Sequence, residues 1–175
     1  GFYVDLETQP FLGLSNVDSG VHTTLDARAY RGFDIGETAD RVVLAGRLQL
    51  GSLAGPAIED APSDTLFFAG GGGSVRGQPY RSVGSGEEDG EIVGGRSYLA
   101  LSAEVRTKVT ERIGVVAFAD AGYVGAEQFP DAESGNWLTG AGLGVRYDTG
   151  FGPIRVDLAT PTSGGPDDRD WVELY

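Results

Sequence analysis

Cysteine and methionine are both absent from this 175-residue sequence, histidine occurs once, and lysine and arginine together number 13 against 26 aspartates and glutamates. Without cysteine there is no disulfide framework, no thiolate nucleophile and no thiolate zinc site. A net charge of −13 argues against a nucleic-acid surface, because phosphate binding needs a basic face. No run of eighteen apolar residues occurs, so no membrane-spanning helix is encoded, and no signal-peptide pattern is visible. Strands of a membrane barrel escape that test, since they need only about 9–11 alternating residues. No serine sits in a G-x-S-x-G elbow, and the glycine run at 70–73 lacks the Gly-Lys-Ser/Thr ending of a phosphate loop. Nothing here reads as an enzyme. His22 would need carboxylate partners that the sequence does not place, so it reads as a solvated polar residue and not as a metal ligand. The acidic groups Glu87-Glu88-Asp89-Gly90-Glu91 and Asp167-Asp168-Arg169-Asp170 lack the spacing of a calcium loop and read as solvated outer loops. Neither cofactor nor metal is expected.

What is abundant is glycine, 29 residues of it, and alternation. Phe2, Val4 and Leu6 alternate with Tyr3, Asp5 and Glu7, and after the turn cluster Ser15 to Gly20 the residues Val21, Thr23, Leu25, Ala27 and Ala29 alternate with His22, Thr24, Asp26, Arg28 and Tyr30. A third segment sets Val42, Leu44, Leu48 and Leu50 against Arg41, Arg47 and Gln49. Further on, Leu99, Leu101, Ala103 and Val105 oppose Tyr98, Ser102, Glu104 and Arg106. Val115, Ala117, Ala119 and Ala121 oppose Val116, Phe118, Asp120 and Gly122. Ala141, Leu143, Val145 and Tyr147 oppose Gly140, Gly142, Gly144 and Arg146, where three glycines on one face leave room for something to approach the wall. Ile154, Val156 and Leu158 oppose Arg155 and Asp157, and Trp171 to Tyr175 opens a last strand. Two-faced strands suit an antiparallel sandwich that buries its apolar face or a membrane barrel that shows it to lipid. Periodicity alone leaves both open.

Nine segments are counted, the last incomplete and one of them the aromatic strand end at Phe67-Phe68. The connections 107–113 and 148–152 are short, whereas 125–136 and 160–170 are long, the alternation of periplasmic turns and outer loops in bacterial barrels. Ser52 to Asp64 is too long for the periplasmic turn that this scheme requires there. The chain lacks an initiator methionine and reads as a piece of a longer protein, residues 1–175 forming one partial domain.

The organising stretch is Phe67-Phe68-Ala69-Gly70-Gly71-Gly72-Gly73-Ser74-Val75-Arg76-Gly77-Gln78-Pro79-Tyr80, where glycines permit a sharp reversal and deliver one arginine. This run resembles the sixth extracellular loop of the BamA/TamA group of outer-membrane barrel proteins, with its aromatic-glycine lead-in and V/I-R-G-Y/F element. Glu104 in LSAEVR, Asp120 in FADAG, the strand GAGLGVRYDTGFGPIRVDLATP and the closing WVELY match family segments in the family's order. The Pro62-Ser63 lead-in and a loop shorter than BamA's make the resemblance to TamA the nearer one.

The resemblance implies an all-β, antiparallel transmembrane barrel of sixteen strands, of which this chain would hold the C-terminal half, with the arginine loop 70–95 between the eleventh and twelfth. It implies that Arg76 folds into the lumen and bonds to Glu104 and Asp120, locking the loop through its planar fork of donors. Val75, Gly77 and Tyr80 would belong to the loop motif, Tyr80 supplying the ring where Gln78 replaces the family's aromatic. Phe118, Gly122, Gly140, Gly142 and Gly144 would be the lumen packing. It further implies insertion of barrel and autotransporter clients, lipid and client proteins as partners, a TamB-like inner-membrane-anchored partner, upstream POTRA domains, and residence in the bacterial outer membrane. A two-partner secretion transporter shares the loop arginine, and a soluble β-sandwich binding module needs none of these motifs; both remain as alternatives.

Overall fold

The computed structural model describes residues 1–13, 18–35, 38–131, 134–163 and 172–175, and for 38–41 the backbone alone. The turn residues 15–17, the acidic group at 167–170 and Trp171 lie outside the described residues, as does the side chain of Arg41. The described residues form ten strands: β1 (Phe2–Phe11), β2 (Gly20–Ile35), β3 (Thr38–Ala54), β4 (Gly86–Glu88), β5 (Glu91–Val93), β6 (Ser97–Lys108), β7 (Ile113–Gly125), β8 (Gly135–Thr149), β9 (Gly152–Ser163) and β10 (Glu173–Leu174). Eight of them form one antiparallel meander in the order β1-β2-β3-β6-β7-β8-β9-β10, with β1 and β10 at its edges. The fold is all-β.

The aromatic strand end is a correction to the count of nine. Phe67 and Ala69 make single bridges to Gly95 and Val83 inside the loop and join no strand of the main sheet. Their partners are loop backbone, because β3 already pairs with β6 along its length. The overlong turn from Ser52 to Asp64 disappears with it: 55–96 is one connection from β3 to β6, on the same side as the long 126–134. Long and short connections now alternate without exception, as in bacterial barrels. Within the loop, β4 and β5 form a hairpin whose two turn residues, Asp89 and Gly90, both have positive φ, the conformation that Asp-Gly favours in a two-residue hairpin. The acidic run is thus an exposed hairpin tip.

The faces divide as the alternation predicts. Leu101, Val105, Leu143 and Val145 are exposed, and Leu99, in register with Tyr123 near the long-loop end, is half-buried. Among the described residues no second sheet covers this apolar face, which removes the sandwich. On β8 the exposed Trp137 and Tyr147 bracket Ala141, Leu143 and Val145 on that outer face. Ten residues at about 3.3 Å each, tilted by about 40°, project to about 25 Å, the height of a lipid-facing band between aromatic girdles. The opposite face carries the loop: Ala69 and Val83 pack on Val124 and Leu138, while Val116, Phe118 and Ala159 form a second cluster with Tyr175.

Candidate functional site

The loop is shaped locally before it meets the wall. Gly71 donates its N–H to the Gln78 carbonyl at 2.7 Å, and the Gly70 N–H reaches Ser74 Oγ at 2.9 Å, so 70–78 closes into a compact turn. Gly77 has φ of +87°, and a side chain there would run into the Thr160 backbone. Gly140 faces the same spot from the wall, where a methyl group would overlap the Arg76 carbonyl oxygen. Backbone therefore lies directly on backbone at this point, and Val75 is sealed against Gly122.

This placement drives the Arg76 side chain into the interior. Its Nε donates to Asp120 Oδ2 at 2.7 Å, its Nη2 to Asp120 Oδ1 at 2.9 Å, and its own backbone N–H to Asp120 Oδ2 at 3.1 Å. Nη1 lies 2.8 Å from Glu104 Oε1 and 3.4 Å from Asp157 Oδ2. The guanidinium carbon stands 3.5 Å from the centre of the Phe118 ring, a desolvated cation–π contact. Only 6% of the Arg76 side chain is exposed, and none of Asp120's. Burial by itself would lower the arginine's pKa, but Asp120 and Glu104 outweigh it and hold the pKa above the ordinary value, so the group is a permanent cation.

Two of the three carboxylates carry further arginines. Arg106 binds Glu104 at 2.7 Å, while Arg146 and Arg155 both bind Asp157, the latter at 3.2 Å. Asp157 was not singled out by sequence reasoning, although its alternation with Val156 and Leu158 does put it on the inner face. Gln78 was treated only as a departure from the family pattern. It is in fact buried, and its side-chain amide donates to the carbonyls of Thr139 and Ser163 at 3.1 and 3.0 Å, tying the loop to β8 and β9.

Tyr80 requires a correction: it is 82% exposed and packs on nothing in the lumen. With Gln78 turned inward the chain is already leaving the wall at Tyr80, and the ring beside Arg76 is Phe118. Gly142 makes room for the Phe118 ring, and Gly144 for Asp157 and Arg146. Val75, Arg76, Gly77, Glu104, Phe118, Asp120, Gly122, Gly140, Gly142 and Gly144 thus surround one site, from which Tyr80 alone is excluded. His22 is also not simply solvated, since Phe67 folds back over β2 and stacks on its ring at 4.7 Å. At the last strand, Glu173 and Leu174 pair with β9 and the backbone of Tyr175 exchanges both hydrogen bonds with Asp157 at 2.9 Å, while the Tyr175 hydroxyl accepts from the Gly77 N–H at 3.2 Å and has the Glu173 carboxylate and, at 3.3 Å, the Gln78 carbonyl as acceptors within reach.

A second ion cluster lies across the interior. Asp26 on β2 accepts from Arg28 at 2.7 Å and from Arg47 at 2.6 Å, and Arg47 also reaches the Gly73 carbonyl at 3.1 Å. The loop is thereby held from both sides.

The Omp85 superfamily domain matches residues 1–173. Among solved structures, BamA from Haemophilus ducreyi lacking POTRA domains 1–3 superposes with a TM-score of 0.74 at 19% sequence identity, covering 100% of this chain and 37% of that one.

Proposed function

Because the chain belongs to the Omp85 superfamily, we propose that it is part of an outer-membrane barrel that inserts or transports other proteins, with the loop of Arg76 serving as an internal lock. The observation that carries this reading is the paired hydrogen bonding of Arg76 to a fully buried Asp120, supported by Glu104 and Asp157. Such a pairing holds a glycine-rich loop rigidly against one wall and leaves conformational freedom to the seam where the barrel's first and last strands would meet, whose backbone donors and acceptors could pair with a client strand.

In the finer reading the chain is the C-terminal half of a TamA-like barrel. The eight-strand meander, with the arginine loop between its third and fourth members, supports that position. Clients would be barrel or autotransporter proteins, the solvent would be outer-membrane lipid, and a TamB-like protein would be the periplasmic partner. Energy would come from strand pairing and lipid burial.

The test is client assembly by the full-length protein carrying Arg76→Ala. Loss of autotransporter assembly, with the loop newly open to protease, is the expected result. Wild-type assembly with an unprotected loop would separate the lock from the function and overturn the proposal. Single-channel conductance distinguishes a two-partner secretion pore, which stays open to ions, from an insertion factor.

A further inference from the structure

Three carboxylates of the interior, Asp26, Glu104 and Asp157, are each held by two arginines. Asp26 is shared by Arg47 and Arg28, whose side chains are 30% and 39% exposed. Glu104 is shared by Arg76 and Arg106, at 6% and 43%. Asp157 is shared by Arg146 and Arg155, at 17% and 59%. The same division recurs three times, a deeper arginine and a wetter one on each carboxylate, and since Arg76 also holds Asp120, six arginines face four carboxylates, an excess of two positive charges. The three wetter arginines, Arg28, Arg106 and Arg155, line one cavity of about 320 Å³, together with Arg47 and Arg76, and among the described residues its only carboxylate lining is Glu104. In a chain with a net charge of −13 this is a local reversal of sign.

We infer that this cavity is a binding site for an acidic peptide segment, held by Arg28, Arg106 and Arg155. Guanidinium forks match carboxylates in two-point geometry, and in a confined, partly desolvated space several of them add. A peptide fits better than an anionic lipid, because the apolar faces of β6–β9 point away from the cavity, leaving acyl chains nothing to lie on. The glycine run Gly72–Ser74 borders the cavity, so an occupant would touch the lock itself. Arg106 and Arg155 lie toward the short connections 109–112 and 150–151, the periplasmic end in the outer-membrane reading, and an occupant would enter from there. Only this assignment of the short-connection end to the periplasm rests on the outer-membrane reading.

When the three wetter arginines are removed each carboxylate keeps its deeper partner, Arg76 then serving Glu104 and Asp120 together. The experiment uses the full-length protein in detergent micelles, with a fluorescein-labelled hexaglutamate peptide as probe, read by anisotropy at low salt. The combined variant Arg28→Gln, Arg106→Gln, Arg155→Gln should bind at least tenfold more weakly, while Arg31→Gln, Arg81→Gln, Arg112→Gln, which removes three exposed arginines outside the cavity, should bind as wild type. Retained folding is checked by the heat-dependent gel shift of the barrel, and Arg155→Gln alone, at the most exposed of the three, should still weaken binding measurably. Equal binding by wild type and the cavity variant, or equal loss in both triple variants, would overturn the inference. So would pyrophosphate displacing the peptide at equal concentration, which would make the site a general anion trap. Because binding is read without any client, failure here leaves the assembly reading standing, and failure of assembly leaves this one.

Discussion

The two ion clusters of the interior are built in opposite senses. Around Arg76, one cation is enclosed by three carboxylates, with 6% of its side chain exposed and a phenyl ring against its face. Around Asp26, one carboxylate is held by two cations, all three between 23% and 39% exposed. The difference is one of water. In the first cluster removing the centre strands buried charges, whereas in the second water is at hand to replace whatever is lost. A barrel interior thus contains both a dry lock and a wet brace on the same loop, and the two should respond very differently to substitution.

The sharpest break is Arg76→Ala, which leaves Asp120, Glu104 and Asp157 without their common partner and is expected to cost about 3–5 kcal/mol. Urea titration of the full-length protein would read it. Arg76→Lys should recover only part, because an ammonium cannot bind both Asp120 oxygens in one plane while facing Phe118. A smaller loss is expected from Gly140→Ala, whose methyl overlaps the Arg76 carbonyl: about 1–3 kcal/mol from overpacking, with faster protease cleavage within 70–80. Gln78→Ala removes two hydrogen bonds to strand carbonyls at about 1 kcal/mol each and should loosen the loop without disturbing the Arg76 pairing. Least of all, Asp26→Asn should cost about 0.2–1 kcal/mol. That change should shrink further in high salt, whereas the Arg76 effect should persist. An Asp26→Asn variant as damaging as Arg76→Ala would erase the contrast between dry and wet clusters.

Much of this site was legible in the sequence, and the parts that were not share a cause. Arg76, Glu104 and Asp120 stand out because a glycine run delivers the first, alternation puts the other two on the polar face, and the family resemblance then singles out all three. Asp157 obeys the same alternation, but nothing local distinguishes it from a solvated aspartate beside Arg155. Gln78 and Tyr80 were assigned in the wrong order of importance. Which of two neighbouring loop residues turns to the wall depends on the path of backbone between Gly71 and Gln78, and a pattern of residue types does not encode that path. The miscounted strand has the same origin: Phe67-Phe68 has strand composition, and only the pairing of β3 with β6 leaves it to bridge within the loop.

The sequence by itself determined the class of structure, because a period of two with apolar residues on one face has few solutions, and it determined which side chains share each face. Tertiary structure alone decided what covers those faces. The loop folds inward to one place on the wall, where glycines at 77 and 140 let two backbones touch, and that contact selects which of the many inward charges become partners. Ion pairing acts over a few ångströms between segments far apart in the chain, so it is settled by the path of the backbone and cannot be read from the local pattern.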